Sequence, residues 1–526
     1  MLFRSDKHVG IVSGAFASAT NKPVINNVSY SNVTGATAIA GAPYDSTSTV
    51  ATYVIIEGVE CAGNLAAVNE QLATGTVNFA CDINGDITVT QAPDVAITIN
   101  GMGNKLNGVI TVDGKSGTYT TAALTIKNVT FGAFTGSADA SIRLGDGTNA
   151  TRYTCNVTVD NCTFDAPGKV GVKSYTGGDK CLTIINSTAT ANAHSLVQAK
   201  GIDNVKVADC EVYSKNGLNF NNSDNVSVDN CIVDVKGYAV RFGETSGGSG
   251  AAETYTITNS TLKSANDDGD AVIVLRGTAD YSTLTITGTT ITGDIKFTNT
   301  AVEAAVVMDG MTVATNGDTL VAALERGENV ILANDIKIEP AKMSNAYGKT
   351  GVNVRNGQIL DGNGYTLDVK GAGGTWDSGI CVSGGTVKNI TVTGSFRGIF
   401  IKGGSQKVIL ENVTTIGTTY TISCDAANGF GLEATNCSFN GWTSFAAALG
   451  EVKFVNCYFG PGSGYNFSRP YASTTYVGCT FAAGHQMDAR GKVTLQDCTF
   501  NGEAVTADNV AALVTGNTAN ATVVEG

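Results

Sequence analysis

The chain has 526 residues, of which 15% are charged, and a formal net charge of −13. That balance argues against a nucleic-acid binder, whose phosphates demand a basic face, and no apolar run is long enough to span a bilayer as a helix. With 64 Gly, 7 Pro and many Thr, Asn and Val, the composition suits short strands joined by tight turns.

Taken in chain order, the opening MLFRSD lacks the apolar stretch of a signal peptide. It resembles the translation of a sequencing-adaptor end, which implies a gene clipped during metagenomic assembly with any export signal left out of view. Residues 1–60 carry two turn positions, Asn27 and Gly58, and are read as the closing coils of a preceding, truncated unit. The stretch NLAAVNEQLATG (64–75) reads as a short helix, followed by VNFACDINGDITV and a Gly-rich strand at 97–114.

From there one pattern returns. LTIK (124–127), VTVD (157–160), VKVA (205–208), VSVD (226–229), YTIT (255–258) and LTIT (284–287) alternate apolar and polar, the period of half-buried strands. Each ends at a residue that tolerates a left-handed backbone: Asn128, Asn161, Asp209, Asn230, Asn259 and Gly288. A Cys or another small or apolar residue follows one position on, as in VTVDNCTF (157–164). A second helix-like stretch, DTLVAALERGEN (318–329), interrupts the series and is followed by NVILANDIKIEP and QILDGNGYTLDVKG. The pattern then resumes with corners at Asn389, Asn412, Asn436, Asn456, Gly478, Asp497 and Gly516.

Strand, left-handed corner and strand, repeated at steps of 19 to 33 residues, describe a solenoid in which each strand pairs in parallel with its copy one coil on. Asn stacks on Asn, Cys on Cys and Phe on Phe. The duplicated helix predicts two tandem units, 61–314 and 315–526, each with a capping helix that covers otherwise unpaired strand edges. Cys162, Cys210, Cys231, Cys437, Cys457, Cys479 and Cys498 are expected as reduced, buried core residues. Their Cβ vectors are nearly parallel when stacked, which suits a disulfide poorly.

These coils resemble the right-handed parallel β-helix of the pectate-lyase-like superfamily, an all-β solenoid, and LDGNGYTL after its cap resembles the opening coils of bacterial surface β-helix proteins. The resemblance covers most of the chain. It carries fold more than function, since that superfamily holds lyases, hydrolases, tailspikes and adhesins. It implies that any cleft lies along the first strand of each coil, whose outward positions include Lys173, Asn219 and Arg241 in the first unit and Phe400, Ser423, Ser468 and Asp488 in the second.

Three constellations carry chemistry. NDDGD places Asp267, Asp268 and Asp270 in one loop, a candidate Ca²⁺ site through hard oxygen ligands. Asp267 and Asp268 also resemble the paired Asp of polygalacturonase-like hydrolases, where two carboxylates do acid and base work, set against the commoner reading of a solvated turn. Lys173 and Arg241 could neutralise a uronate for β-elimination, which also needs a base within hydrogen-bond reach; two solvated side chains are the simpler reading. Trp376, Trp442, Tyr465, Tyr471 and Tyr476 gather in the second unit beside Phe467 as candidate glycan contacts, against a reading as turn packing, or core packing for Phe467.

The sequence therefore predicts a non-catalytic extracellular or cell-surface protein, adhesin-like, that contacts glycans or another surface. The alternative is an extracellular polysaccharide lyase or glycoside hydrolase, including a tailspike-like depolymerase. The sequence calls for no cofactor beyond the candidate Ca²⁺, no nucleic-acid partner and no membrane span, and leaves the oligomeric state open.

Overall fold

The structure, a computed structural model, describes residues 53–56, 58–90, 96–113, 123–145, 156–175, 178–243, 253–265, 269, 271–276, 282–297, 305–339, 343–345, 348–369, 376–426, 430–446 and 449–524, with short strands at 2–5, 8–11 and 24–25. The chain divides into two compact units, Met1–Asp309 and Gly310–Gly526. The strand Met311–Ala314 accordingly falls in the second unit.

In the first unit, Tyr53–Ile56 and Val59–Ala62 form an antiparallel hairpin. Gly58, expected as a coil corner, instead turns this hairpin at φ +81. Helix α1 (Leu65–Leu72) follows. Its Asn64 cap is buried and accepts from the Ala67 N–H at 3.0 Å, satisfying one of the free donors of a helix start. Ala67, Val68 and Gln71 face inward. The Gln71 side chain donates to the Glu60 carbonyl and accepts from Asn78 N–H, both at 3.3 Å.

The coils then repeat. Val157–Asp160 runs to the corner Asn161, Thr163–Phe164 leaves it, and Val170–Ser174 completes the turn. Copies of each strand pair in parallel, residue for residue: Val157 lies beside Leu182, Phe131 beside Phe164, and Lys173 beside Gln198. The sheet of the Val170–Ser174 type and the sheet of the Thr163–Phe164 type have nine strands each. Inward residues of the pre-corner strands are buried, while their neighbours are half-buried, the alternation read from the sequence.

The corners are left-handed as expected: φ is 54 at Asn128, 50 at Asn161, 52 at Asn186, 54 at Asp209 and 49 at Asn230. Their side chains form the ladder. Asn128 donates to Asn100 at 3.0 Å and Asn161 to Asn128 at 2.7 Å. Asn186 reaches Asp160 at 2.8 Å and Asn230 reaches Asp209 at 2.7 Å.

In the second unit, helix α2 (Gly317–Glu325) starts with a reciprocal cap between Asn316 and Thr319. Leu320, Ala323 and Leu324 turn inward. The buried Gln358 amide donates to the carbonyls of Leu324 and Glu328 at 2.8 and 3.1 Å, satisfying acceptors that a helix end leaves open. Corners recur at Asn389, Asn412, Asn436, Asn456, Gly478 and Asp497, all with positive φ. Gly478 has a second reason to be Gly: a Cβ there would lie 2.6 Å from the Asn456 side-chain oxygen. The last left-handed corner is Asn517 rather than the expected Gly516.

The twelve described cysteines are free thiols, and all but Cys181 are buried. Each stacked thiol donates to the carbonyl two residues before it and faces a carbonyl one coil earlier, as Cys479 does with Val477 at 3.5 Å and Phe454 at 3.6 Å. Phe459 and Phe481 stack beside them with centroids 5.0 Å apart.

Candidate functional site

In the second unit, the sheet that runs from Gly348–Arg355 through Ser378–Ser383, Arg397–Lys402, Tyr420–Ala426, Trp442–Phe445 and Phe467–Pro470 carries an aromatic row. Parallel pairing sets Ser378, Arg397, Tyr420, Trp442 and Phe467 side by side, one per coil. Tyr420 and Trp442 stack at 4.7 Å, and Tyr465 lies 5.2 Å beyond Trp442. Phe467 meets Trp442 edge-on at 5.5 Å. At the other end Trp376 approaches Tyr420 at 6.4 Å and Phe396 at 6.0 Å.

Cations thread the row. The Arg397 guanidinium lies 4.6 Å from the Trp376 ring centre and 4.5 Å from that of Phe400. Arg469 lies 5.3 Å from Trp442 and 5.1 Å from Phe467. Arg469 also approaches Asp488 at 3.5 Å, and Asp488 accepts from Arg490 at 2.7 Å and Asn517 at 2.6 Å. Burial pushes the Asp488 carboxyl up, but these hydrogen bonds and the charges of Arg490 and Arg469 together hold it below its ordinary value.

The row brings together Trp376, Trp442 and Tyr465 of the five candidate aromatics. Trp442 is half-buried, with Tyr420 against one side and Tyr465 close to the other. The exposed rings are Trp376 at 47% and Tyr465 at 42%, with Tyr471 also at 42%. Trp376 is held at φ +93, a region that a bulky side chain occupies only under strain of about 1–3 kcal/mol. Tyr476 is not a glycan contact: it is fully buried, stacked on Phe454 at 5.1 Å. In Thr474–Val477 the alternation turns it inward. Phe467, gathered with them in the sequence, completes the row together with Phe396 and Tyr420, which only spacing one coil apart marks.

Of the expected outward positions, Ser468 points into the core, paired beside Thr443 and Met487. Phe400 and Ser423 are also buried. Ser468 belongs to a chain of hydrogen bonds that resembles a nucleophile relay: Thr443 Oγ1 to Ser468 Oγ at 2.6 Å, Ser468 Oγ to His485 Nε2 at 2.9 Å, and His485 Nδ1 to Asn466 Oδ1 at 2.7 Å. Asn466 Oδ1 can only accept, so Nδ1 carries the proton and Nε2 accepts from Ser468. Ser468 is 0% and His485 1% exposed, and His485 packs on the Phe459 and Phe481 rings. No substrate reaches that serine. The chain instead ties Asn466, and with it the neighbouring Tyr465 and Phe467, to the turn at 483–486; the Asn466 amide adds a bond to the Ala483 carbonyl at 3.0 Å.

In the first unit, Arg143, Lys173, Gln198, Asn219 and Arg241 occupy one outward register row. Lys173 pairs with Asp139 at 2.6 Å. The Tyr175 hydroxyl donates to Asp139 and accepts from Arg143 Nε at 3.2 Å. Burial raises the Asp139 carboxyl, and the bonds from Lys173 and Tyr175 more than reverse that. Three strand steps separate Lys173 from Arg241, about 14 Å at the usual spacing, and Lys173 already neutralises a carboxylate of the protein. Arg241 lies over the Tyr238 ring at 3.6 Å. Asp267, Asp268 and Asp270 lie outside the described residues.

Residues 107–272 match the family described as "Right handed beta helix region". With its stacked parallel sheets, the chain is a right-handed parallel β-helix protein. No curated protein matches it. No helix among the described residues is long and apolar enough to cross a membrane.

Proposed function

We propose that this is a non-catalytic extracellular or cell-surface β-helix protein, adhesin-like, that holds glycans against the aromatic row of its second unit. The observation that carries the reading is the pair of exposed rings, Trp376 and Tyr465, at the two ends of a packed aromatic row. Ring faces take up the apolar side of a sugar, and their edges and neighbours supply polar contacts. Tyr420 and Trp442, on in-register strands, back these two rings, which limits the conformational freedom lost on binding. The backbone strain at Trp376 supports the same reading, because strained positions persist where their geometry is used.

A glycan array probed with the wild-type protein, Trp376→Ala and Tyr465→Ala tests this. Binding by the wild type that both substitutions weaken supports the reading. Unchanged binding in both variants overturns it. So does release of unsaturated or reducing ends from polysaccharide by the wild type that is lost in Lys173→Ala, which would make the protein a lyase or hydrolase.

A further inference from the structure

Cys437, Cys457, Cys479 and Cys498 follow the corner on four successive coils of the second unit, and the strands on either side of them pair in one register. All four are buried, at most 2% exposed. They share one geometry. Each sulfur lies 3.3 to 3.5 Å from the carbonyl oxygen two residues before it. Each also lies 3.4 to 3.6 Å from a carbonyl one coil earlier, those of Leu410, Ala434, Phe454 and Tyr476 in turn. Side chains in one conformation on in-register strands repeat at the strand spacing of about 4.8 Å. The sulfurs therefore form a column, and each thiol is near enough to act on the ionisation of the next.

A separate observation points to a ligand there. Tyr476 is 0% exposed, and its hydroxyl has no hydrogen-bond partner among the described residues. The ionisable groups that act on it are the thiols of Cys479, Cys498 and Cys457. A thiol is a weak acceptor, whereas a thiolate takes a hydrogen bond readily. The hydroxyl is thus a donor beside sulfurs that can use it only once they are deprotonated, as coordination to a metal makes them. The spacing narrows the metal. Among the described residues no three His, Cys, Asp or Glu side chains converge as a metal centre would need, which leaves coordination by two sulfurs. A metal–sulfur bond of about 2.3 Å, the value for Zn–S, sets two sulfurs about 4.6 Å apart across an ion in line between them. That matches the strand repeat of about 4.8 Å. In-line binding by two thiolates is the habit of soft d¹⁰ ions, and thiolates select Cu(I).

We propose that the column of Cys437, Cys457, Cys479 and Cys498 binds soft monovalent d¹⁰ ions such as Cu(I), each held in line between the sulfurs of adjacent coils. Two thiols and one ion give RS–Cu–SR with a charge of −1 and release two protons. Each further ion joins one more thiol and releases one more proton, so the buried charge stays at −1. Three ions fill the column, four protons leave, and no electron is transferred. The Tyr476 hydroxyl donates to the sulfur that carries the charge, which offsets part of the cost of burying it. This site is independent of the proposed glycan contacts and stands or falls without them.

The test supplies Cu(I) anaerobically from its bicinchoninate complex to the full chain and counts the ions withdrawn. Cys479 belongs to two of the three adjacent pairs, so Cys479→Ser should bind two ions fewer than wild type. Serine is tolerated at this position of the coil: Ser187 and Ser260 occupy it in the first unit and accept the N–H of Cys162 and Cys231 at 3.1 and 3.0 Å. Cys162 supplies the control. It is equally buried but stands between Val129 and Ser187, with no thiol beside it, so Cys162→Ser should bind as many ions as wild type. Tyr476→Phe should keep the count and weaken the affinity about tenfold, the loss of a hydrogen bond to a charged group. Saturating Cu(I) should raise the thermal midpoint of the wild type. Equal uptake by wild type and Cys479→Ser overturns the proposal, as does the same loss of ions in Cys162→Ser. So does unaltered affinity in Tyr476→Phe, or a midpoint lowered by Cu(I), which would place the ions on the opened chain.

Discussion

Trp442 stacks on Tyr420 with ring centroids 4.7 Å apart, although 22 positions separate them in the chain, because parallel pairing places them at the same point of successive coils. Trp442 thus supports the neighbouring rings, whereas Tyr465 offers an open surface. Trp442→Ala is expected to destabilise the second unit by about 3 kcal/mol, the usual loss for a large packed ring. Tyr465→Ala, exposed, should stay within about 0.5 kcal/mol of wild type while weakening glycan binding. Guanidinium unfolding beside the array measurement checks both. A Tyr465→Ala protein that binds like wild type counts against the proposed function.

The corner at Asn161 combines a left-handed backbone with an amide bond to Asn128 at 2.7 Å. Asn161→Gly keeps the backbone conformation and loses the bond, an expected change of about 1 kcal/mol. Asn161→Ala adds the steric penalty of a left-handed Cβ, a further 1–2 kcal/mol or about that. Comparing the two unfolding midpoints separates the contributions. If Ala and Gly behave alike, backbone handedness is not what selects Asn here.

His485 is buried neutral, and burial pushes it from 6.5 down to about 3. The unfolded chain therefore takes up this proton first. The stability it contributes is fully present above about pH 6.5 and is lost as pH falls from there toward 3. The carboxylates of Asp139 and Asp488, held below 3.8, begin to matter only lower in that range. Between pH 6.5 and about 4, thermal midpoints of the wild type should fall more steeply than those of His485→Gln. Parallel slopes would show that His485 is not the group titrating.

Burial pushes the Cys162 thiol up to about 12 and Cys381 up to about 11, and thiolate is the reactive form. Iodoacetamide at neutral pH should label Cys181 in the folded protein and reach Cys162 and Cys381 only after guanidinium opens the coils. Adduct masses read before and after denaturation decide it. Rapid native labelling of Cys162 would mean that the coil opens locally.

The sites were less legible than the frame. Ser468 faces the core, not solvent as its sequence suggests, because a strand's two sides are set by the register of its pairing, and a slip of one residue inverts them. Tyr465 and Tyr476 look alike as letters, yet one is exposed and the other stacks on Phe454 in the core. The Ser468–His485–Asn466 chain joins residues up to 19 positions apart, and nothing local announces it.

The sequence alone determined the coil: alternation over four residues and one left-handed Asn per turn are short-range properties, dictated by sterics around each Cα, and repetition makes them stack. Which side chains share a row, which face water and which aromatic ring keeps a free surface were decided only by the tertiary structure. Those facts depend on how coils of unequal length register against one another, and loop lengths enter that register without leaving a mark on the strands themselves.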